Sequence, residues 1–183
     1  MVHICEKCEI WGLNRVDSGA KGSNLGQRGD LGKGCHWFKW VLAVFLGTHT
    51  PKLDEKGRVI LPAKFRDPLT DGLVMTKGQE RCVVIWPNEQ FQEYAEGLRR
   101  RSQNNEKVRA YTRVFFSSAF DDSADKQGRV TIPAPLREWA GLDRDLVVVG
   151  ADTRIEVWAT VAWNQYLAVQ EPGFASLDED LMP

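Results

Sequence analysis

Two arginines, Arg58 and Arg129, have the chemistry and local setting most typical of anion binding, because each ends an Asp-x-x-Gly-Arg pentapeptide. A guanidinium group carries its N–H donors in a flat fork, so it pairs bidentately with a phosphate or with the edge of a guanine base. Asp54 and Asp125 offer a second interpretation, in which each aspartate forms an exposed ion pair of modest energetic value that braces its turn. The two interpretations are compatible, since an aspartate that orients an arginine also prepares it for an external anion.

The two pentapeptides belong to an internal repeat. At a shift of 71 residues Leu53–Asp67 aligns with Ala124–Glu138, and at a shift of 72 Trp86 aligns with Trp158, which indicates a one-residue insertion. A unit of about 70 residues is small for an independent core, so the two copies are expected to join their apolar faces in one body. The identical positions of the first copy are Asp54, Gly57, Arg58, Val59, Pro62, Ala63 and Arg66, which align with Asp125, Gly128, Arg129, Val130, Pro133, Ala134 and Arg137.

Each arginine is expected on a tight turn between an extended segment and a short strand. Gly57 and Gly128 permit a positive φ angle without a Cβ penalty, and the aspartate side chain accepts backbone N–H groups within the turn. A proline then ends each strand and suits the first turn of a helix. The predicted segments are His49–Leu53, Val59–Leu61 and Pro62 in the first copy, and Ala119–Ala124, Val130–Ile132 and Pro133 in the second.

The rest of each copy is typical of a strand pair followed by a helix. The first helix is predicted to begin with Asn88 as its cap, and a second helix is predicted from about Asn105. Aromatic residues that recur in both copies, such as Trp86 and Trp158, are expected in the core rather than stacked on bases. The predicted strands are Leu73–Lys77, Cys82–Trp86, Leu146–Gly150 and Ile155–Trp158, and the last helix carries Trp163, Tyr166 and Leu167.

The composition, with 43% hydrophobic and 27% charged residues, is typical of a globular protein. A formal net charge of −1 excludes general coating of nucleic acid, so any DNA binding must depend on local basic clusters. Segment 171–183 holds four acidic residues and no basic one, which leaves the rest of the chain net positive.

The longest apolar stretch, Trp37–Leu46, is far shorter than a membrane-spanning helix and no secretory signal is evident, so we expect a cytoplasmic protein.

Further basic residues flank the turns and are candidates for phosphate contacts, although ordinary solvated charge explains each of them equally well. These residues are Lys56, Lys64, Arg66 and Arg137. The second copy has Gln127 and Pro135 at the positions of Lys56 and Lys64. The first turn is therefore the better candidate for direct contact. Arg99–Arg101 form a run at the predicted end of a helix, where positive charge complements the helix dipole.

Other function classes have weaker support. An enzyme needs a nucleophile, a phosphate-binding loop or paired catalytic carboxylates, and none stands out, so we predict neither catalysis nor a cofactor. His49 is expected as a strand residue rather than a base. A set of thiol and imidazole side chains near the N-terminus has zinc-ligand chemistry but irregular spacing, so no metal site is predicted from it. That set consists of Cys5, Cys8, Cys35 and His36. A structural or protein-interaction module without DNA activity stays open as a third interpretation.

The paired motifs, each followed by an apolar strand and Pro-Ala, resemble those of the MraZ transcriptional regulators. The resemblance begins with FLGTHTPKLDEKGRVILPAKFRD, Phe45–Asp67, and extends to about Phe174. It implies an α+β fold of two tandem AbrB-like β-units that form one pseudo-symmetric double-split β-barrel with flanking helices. It also implies binding of double-stranded DNA at repeated promoter elements, control of the division and cell-wall gene cluster and of the chain's own operon, and a homo-oligomeric ring at the nucleoid.

On this resemblance the chain divides into a first unit with its connecting helix at 44–114, a second unit at 115–170 and the acidic tail at 171–183. Residues 1–43 are rich in glycine and lack a persistent apolar period, so a disordered leader is expected there. Members of the family typically begin with methionine just before the counterpart of Phe45. We therefore hypothesise that Val44 is the initiator, read from a GTG codon, and that residues 1–43 are not translated in the cell.

Overall fold

The computed structural model describes residues 44–102 and 105–176, which form a mixed α+β fold with one large antiparallel sheet. The strands are β1 (Phe45–His49), β2 (Arg58–Ile60), β3 (Leu73–Lys77), β4 (Val83–Pro87), β5 (Phe120–Asp122), β6 (Arg129–Thr131), β7 (Leu146–Asp152) and β8 (Arg154–Ala159). The helices are α1 (Asn88–Ser102), α2 (Glu106–Ser117), α3 (Ala134–Trp139) and α4 (Thr160–Ala175), with short 3₁₀ turns at Ala63–Phe65 and Asp67–Leu69.

The large sheet interleaves the two sequence repeats. Its strand order is β1-β7-β8-β4-β3-β5, so the first strand of the first repeat pairs with β7 of the second. In return, β5 of the second repeat pairs with β3 of the first. At the centre Val84 of β4 lies opposite Glu156 of β8, and these two positions are equivalent in the repeat. The sheet therefore has an approximate two-fold axis between β4 and β8, and each repeat completes the other.

A second, two-stranded sheet is formed by β2 and β6, the strands that follow the two Asp-x-x-Gly-Arg turns. We call it the β2–β6 ribbon. Val59 lies opposite Val130, while Arg58 lies opposite Thr131 and Ile60 opposite Arg129. Because Val59 and Val130 are equivalent in the repeat, the same approximate two-fold axis passes through the ribbon.

Side chains alternate between the two faces of the large sheet, as strand geometry requires, and each face carries its own core. Leu73 and Met75 of β3 point towards the β2–β6 ribbon and α3, whereas the intervening Val74 joins the cluster beneath α1 and α2. The first core centres on Phe45, Val59, Leu61, Phe65, Ile85, Val130, Ile132, Leu136 and Ile155. The second centres on Val84, Trp86, Phe91, Ala95, Phe115 and Trp158.

Most of the strands and helices predicted from sequence are confirmed, with small shifts at their ends. β3 has the predicted bounds, and α2 is capped by the Asn105 side chain, which accepts N–H bonds from Lys107 and Val108. The prediction that the Asn88 side chain caps α1 was wrong. Its side-chain amide nitrogen donates to the Asp71 carbonyl at 2.8 Å and ties the start of α1 to the loop before β3.

The first extended segment was also misplaced. β1 spans Phe45–His49, earlier than the predicted His49–Leu53, and only isolated bridges at Lys52 and Leu53 continue it. The reason is that its partner is β7 of the other repeat, which determines where pairing begins. His49 is a strand residue, as expected. At the other end, α4 continues to Ala175 and so enters the segment expected to be the acidic tail.

Residues 1–43, for which a disordered leader is predicted, lie outside the described residues. The part of the acidic segment that follows Ser176 also lies outside them. Within 44–102 and 105–176, no helix combines the length and the apolar character needed to cross a lipid bilayer.

Candidate functional site

The turn of the first repeat is organised by one carboxylate. Asp54 Oδ1 accepts the backbone N–H groups of Lys56 and Arg58, each at 2.9 Å. Its other oxygen, Oδ2, accepts from Arg58 Nε at 2.7 Å and lies 2.7 Å from Arg58 Nη2. Gly57 closes the turn by donating to the Asp54 carbonyl, with a φ angle of +75° that an L side chain rarely adopts. The aspartate thus shapes the backbone and orients the guanidinium at the same time.

The turn of the second repeat reproduces this geometry. Asp125 Oδ1 accepts from the backbone of Gln127 at 2.8 Å and of Arg129 at 3.0 Å, and Oδ2 accepts from Arg129 Nε at 2.7 Å. Gly128 again has a φ angle of +75°. Both predicted ion pairs are therefore present. Each arginine side chain keeps 29% of its surface exposed, so neither is enclosed by its ion pair.

These contacts lower the pKa of both aspartate carboxyl groups. The backbone N–H of Arg129, followed by its guanidinium, holds the pKa of Asp125 at about 2, below the ordinary value of 3.8. The same kind of contacts from Arg58 lower the pKa of Asp54. Both aspartates are therefore ionised at neutral pH, and each offsets the charge of its arginine within the turn.

The β2–β6 ribbon places the two turns on one surface. Residues two apart on a strand share a face, so Arg58 and Ile60 point the same way, together with Thr131 and Arg129 opposite them. The other face, with Val59 and Val130, is buried. Residues offset diagonally in this manner are separated by about 7–8 Å. Both guanidinium groups are therefore presented from the exposed face of a single ribbon.

The four flanking basic residues lie in different settings. Lys56 is exposed in the first turn. Lys64 donates from Nζ to the Leu46 carbonyl at 2.7 Å, which places its ammonium group on β1 rather than on a turn. Arg66 and Arg137 are half-buried, and each lies against the glycine of a turn. The structure therefore gathers three of these four residues around the two turns.

An open groove borders the first turn. It is formed by the turn itself and by the loop after α3 of the second repeat, whose Arg144 carbonyl accepts from the Leu53 backbone at 2.8 Å. The charged residues that line it are Asp54, Glu55, Lys56, Arg58, Arg137, Asp143 and Arg144. Sequence reasoning missed Arg144 because the corresponding place in the first repeat, near Gly72, has no basic residue.

Other candidates from the sequence lie away from this surface. Arg99–Arg101 occupy the last turn of α1, as predicted, where Arg100 pairs with Glu96 at 3.4 Å. The cysteine and histidine set of the N-terminal segment lies outside the described residues. Within the part of the chain that the structure describes, no cluster of three or more histidine, cysteine or acidic side chains has a metal-binding arrangement.

The fold and the site define an α+β protein in which two interleaved repeats present paired, aspartate-supported arginines on one ribbon. The family model for the MraZ protein matches the chain twice, at residues 44–114 and 115–182. The chain belongs to the MraZ family.

Curated relatives agree with this membership. The chain is 59% identical over 140 residues to the protein named Transcriptional regulator MraZ of Salinispora tropica, a match that covers 76% of this chain and 99% of the relative. Proteins of the same name from Micrococcus luteus and Thermobifida fusca are each 54% identical over 140 residues and are covered to 98%. The names of these relatives are those of regulators and not of enzymes.

Proposed function

We propose that the chain is a transcriptional regulator that binds double-stranded DNA in a sequence-specific manner through Arg58 and Arg129. One observation carries the proposal: the two arginines lie on the same exposed face of the β2–β6 ribbon, each pre-oriented by an aspartate. A guanidinium that is already fixed loses less conformational freedom on binding, so more of its hydrogen-bond energy contributes to affinity.

Each arginine offers its outward edge to guanine O6 and N7 or to a phosphate. Lys56 and Arg144 are exposed beside the first turn and are suited to phosphate contacts. The second turn has Gln127 in place of Lys56, so the first turn is expected to contribute more electrostatic affinity. The names of the relatives support a role in transcription, and the family resemblance suggests the division and cell-wall gene cluster and the chain's own operon as targets.

The reciprocal pairing of β1 with β7 and of β5 with β3 supports assignment of the fold as a double-split β-barrel of two AbrB-like units. The few contacts that one chain offers give low affinity, so we further propose that several copies bind repeated promoter elements together as a homo-oligomer located at the nucleoid. Apolar side chains of α4 support this assembly, since Val161, Val169 and Phe174 are about 70% exposed (69%, 72% and 74%).

A gel-shift titration against the DNA upstream of the chain's own gene tests the proposal. Arg58→Ala and Arg129→Ala are each expected to weaken binding by about 1–3 kcal/mol, roughly five- to 150-fold. Arg113→Ala is the matched control, because Arg113 is an exposed arginine on α2. If both turn variants bind like the wild type, the DNA-binding proposal is wrong and a protein-interaction module without DNA activity becomes the better interpretation.

A further inference from the structure

We infer that Arg66 and Arg137 are positioning residues, each of which holds the Asp-x-x-Gly-Arg turn of the opposite repeat. The sequence marks both as basic residues beside a turn and leaves phosphate contact and ordinary solvated charge equally open. The structure shows that the turn each one touches is not the turn of its own repeat. The inference concerns the geometry of the two turns, and its consequence for DNA rests on the proposed function.

The first half of the arrangement joins Arg66 to Gly128. A Cβ atom added to Gly128 would overlap the Nε, Cδ and Cζ atoms of Arg66, so the guanidinium lies directly on the glycine of the second turn. Arg66 Nε also donates to the carbonyl of Leu61 at 2.9 Å. The backbone N–H of Leu61 in turn donates to the Gly128 carbonyl at 2.9 Å. Arg66, Leu61 and Gly128 thus form a closed set of contacts between the repeats.

The second half mirrors the first. A Cβ atom added to Gly57 would lie 2.9 Å from Arg137 Cζ, and the Ile132 backbone donates to the Gly57 carbonyl at 2.8 Å. The symmetry is imperfect in one respect. Arg137 Nε is buried and has no hydrogen-bond partner among the described residues, whereas Arg66 Nε has one. The contact of Arg137 with the first turn is therefore expected to be the weaker of the two.

Burial supports positioning over phosphate binding. Gly57 and Gly128 are buried although their neighbours Lys56 and Gln127 are exposed, because the arginine of the opposite repeat covers each glycine. A half-buried guanidinium that lies against a turn retains little freedom to follow a phosphate. The turns also orient Arg58 and Arg129, the proposed DNA-binding arginines. Loss of the arginine that covers the turn glycine is therefore expected to loosen the DNA-binding arginine of that turn.

Hydrogen exchange read by mass spectrometry tests the crossed contacts without DNA and in any oligomeric state. In Arg66→Ala the amides of Gln127–Arg129 should exchange several-fold faster, while those of Lys56–Arg58 keep their wild-type rates. In Arg137→Ala the pattern should reverse, with a smaller change. Arg113→Ala should alter neither turn. Acceleration in the turn of the same repeat, or in neither turn, overturns the inference.

Two further variants protect the test against loss of fold. Arg66→Lys and Arg137→Lys keep the charge and most of the stem but lack Nε and the flat guanidinium. They should show the same crossed pattern of exchange at lower amplitude. The thermal unfolding midpoint of the chain should stay at the wild-type value. Wild-type exchange in both lysine variants would mean that charge alone suffices, which contradicts a positioning role for the guanidinium.

A salt titration of DNA affinity separates positioning from phosphate contact. Loss of one phosphate contact reduces the slope of log affinity against log salt by about one. In an Arg129→Ala background, Arg66→Ala should leave the slope unchanged, because Arg66 acts through Arg129. A slope reduced by about one, with wild-type exchange, would assign Arg66 to the phosphate backbone instead. If the wild-type chain binds no DNA, the proposed function fails, and the exchange pattern still decides the inference.

Discussion

Val59 and Val130 face each other at the centre of the β2–β6 ribbon, and both are almost completely buried, at 0% and 1% exposure. They are equivalent positions of the two repeats, so the approximate symmetry axis passes between them. Their side chains close the inner core directly beneath the ribbon face that carries Arg58 and Arg129. Packing at this pair and presentation of the two arginines therefore depend on the same short piece of sheet.

Val59→Ala and Val130→Ala are each expected to lower the free energy of unfolding by about 1.5–3 kcal/mol, because two buried methyl groups are lost. The double variant should lose less than the sum, since the two side chains occupy neighbouring positions. Urea denaturation measures all three values. Ile60→Ala is the control, because Ile60 lies on the same strand with 53% of its surface exposed and should change stability by under about 0.5 kcal/mol.

Gly57→Ala and Gly128→Ala are expected to destabilise the chain by roughly 1–3 kcal/mol each, because a left-handed φ angle becomes strained and the new Cβ meets an arginine. Gly97→Ala should have the opposite sign. Gly97 lies within α1 with open space around its Cβ position, so alanine should stabilise the helix by about 0.5–1 kcal/mol. Thermal unfolding distinguishes the signs, and wild-type or higher stability in both turn variants would contradict the assigned turn geometry.

Gly150→Ala is expected to detach β1 from β7. A Cβ atom at Gly150 would overlap backbone atoms of Phe45 and Leu46, which cannot move aside as a flexible side chain can. Hydrogen exchange should become faster at residues 45–49, while β3 and β4 retain their protection. Gly173→Ala, in α4 with nothing near its Cβ position, is the control and should leave β1 unchanged. Normal protection of β1 in the Gly150 variant would contradict the pairing between repeats.

The second turn is expected to loosen in acid with a defined pH dependence. The pKa of Asp125 in the folded chain, about 2, lies below its ordinary value of 3.8. The carboxylate therefore contributes its full stabilisation above a pH of about 4, and this contribution is lost as the pH falls through 2. A carboxyl ¹³C titration should give the lowered midpoint, and Asp125→Asn should abolish that signal. A midpoint at the ordinary value would mean that the contacts to Arg129 do not persist in solution.

Val169→Asp tests the proposed assembly through α4. Val169 is 72% exposed, so the substitution should change the stability of a single chain by under about 0.5 kcal/mol. In an oligomer that buries this helix, a new charge should reduce the mass measured by light scattering. Asn164→Asp adds the same charge at an exposed polar position of α4 and serves as control. Equal masses for wild type and Val169→Asp would place the assembly surface elsewhere.

Local features could be predicted from the sequence because their causes lie within a few residues. The aspartate contacts within each turn join positions no more than four apart, so the Asp-x-x-Gly-Arg pattern already specifies the acceptor, the donors and the glycine. The bounds of β3 and the cap at Asn105 follow from similarly short-range patterns. The family could likewise be identified from the motif because it occurs twice at matched spacing.

The sequence by itself thus determined the duplication, the chemistry of each turn and most of the strands and helices. Only the tertiary structure decided that β1 pairs with β7, that β5 pairs with β3, and that Arg66 and Arg137 each cover the turn of the opposite repeat. The physical reason is that alternation of apolar residues specifies which face of a strand is buried but does not identify its partner. Partner choice depends on contacts between residues far apart in the chain, and in a duplicated sequence each strand has two nearly equivalent candidates.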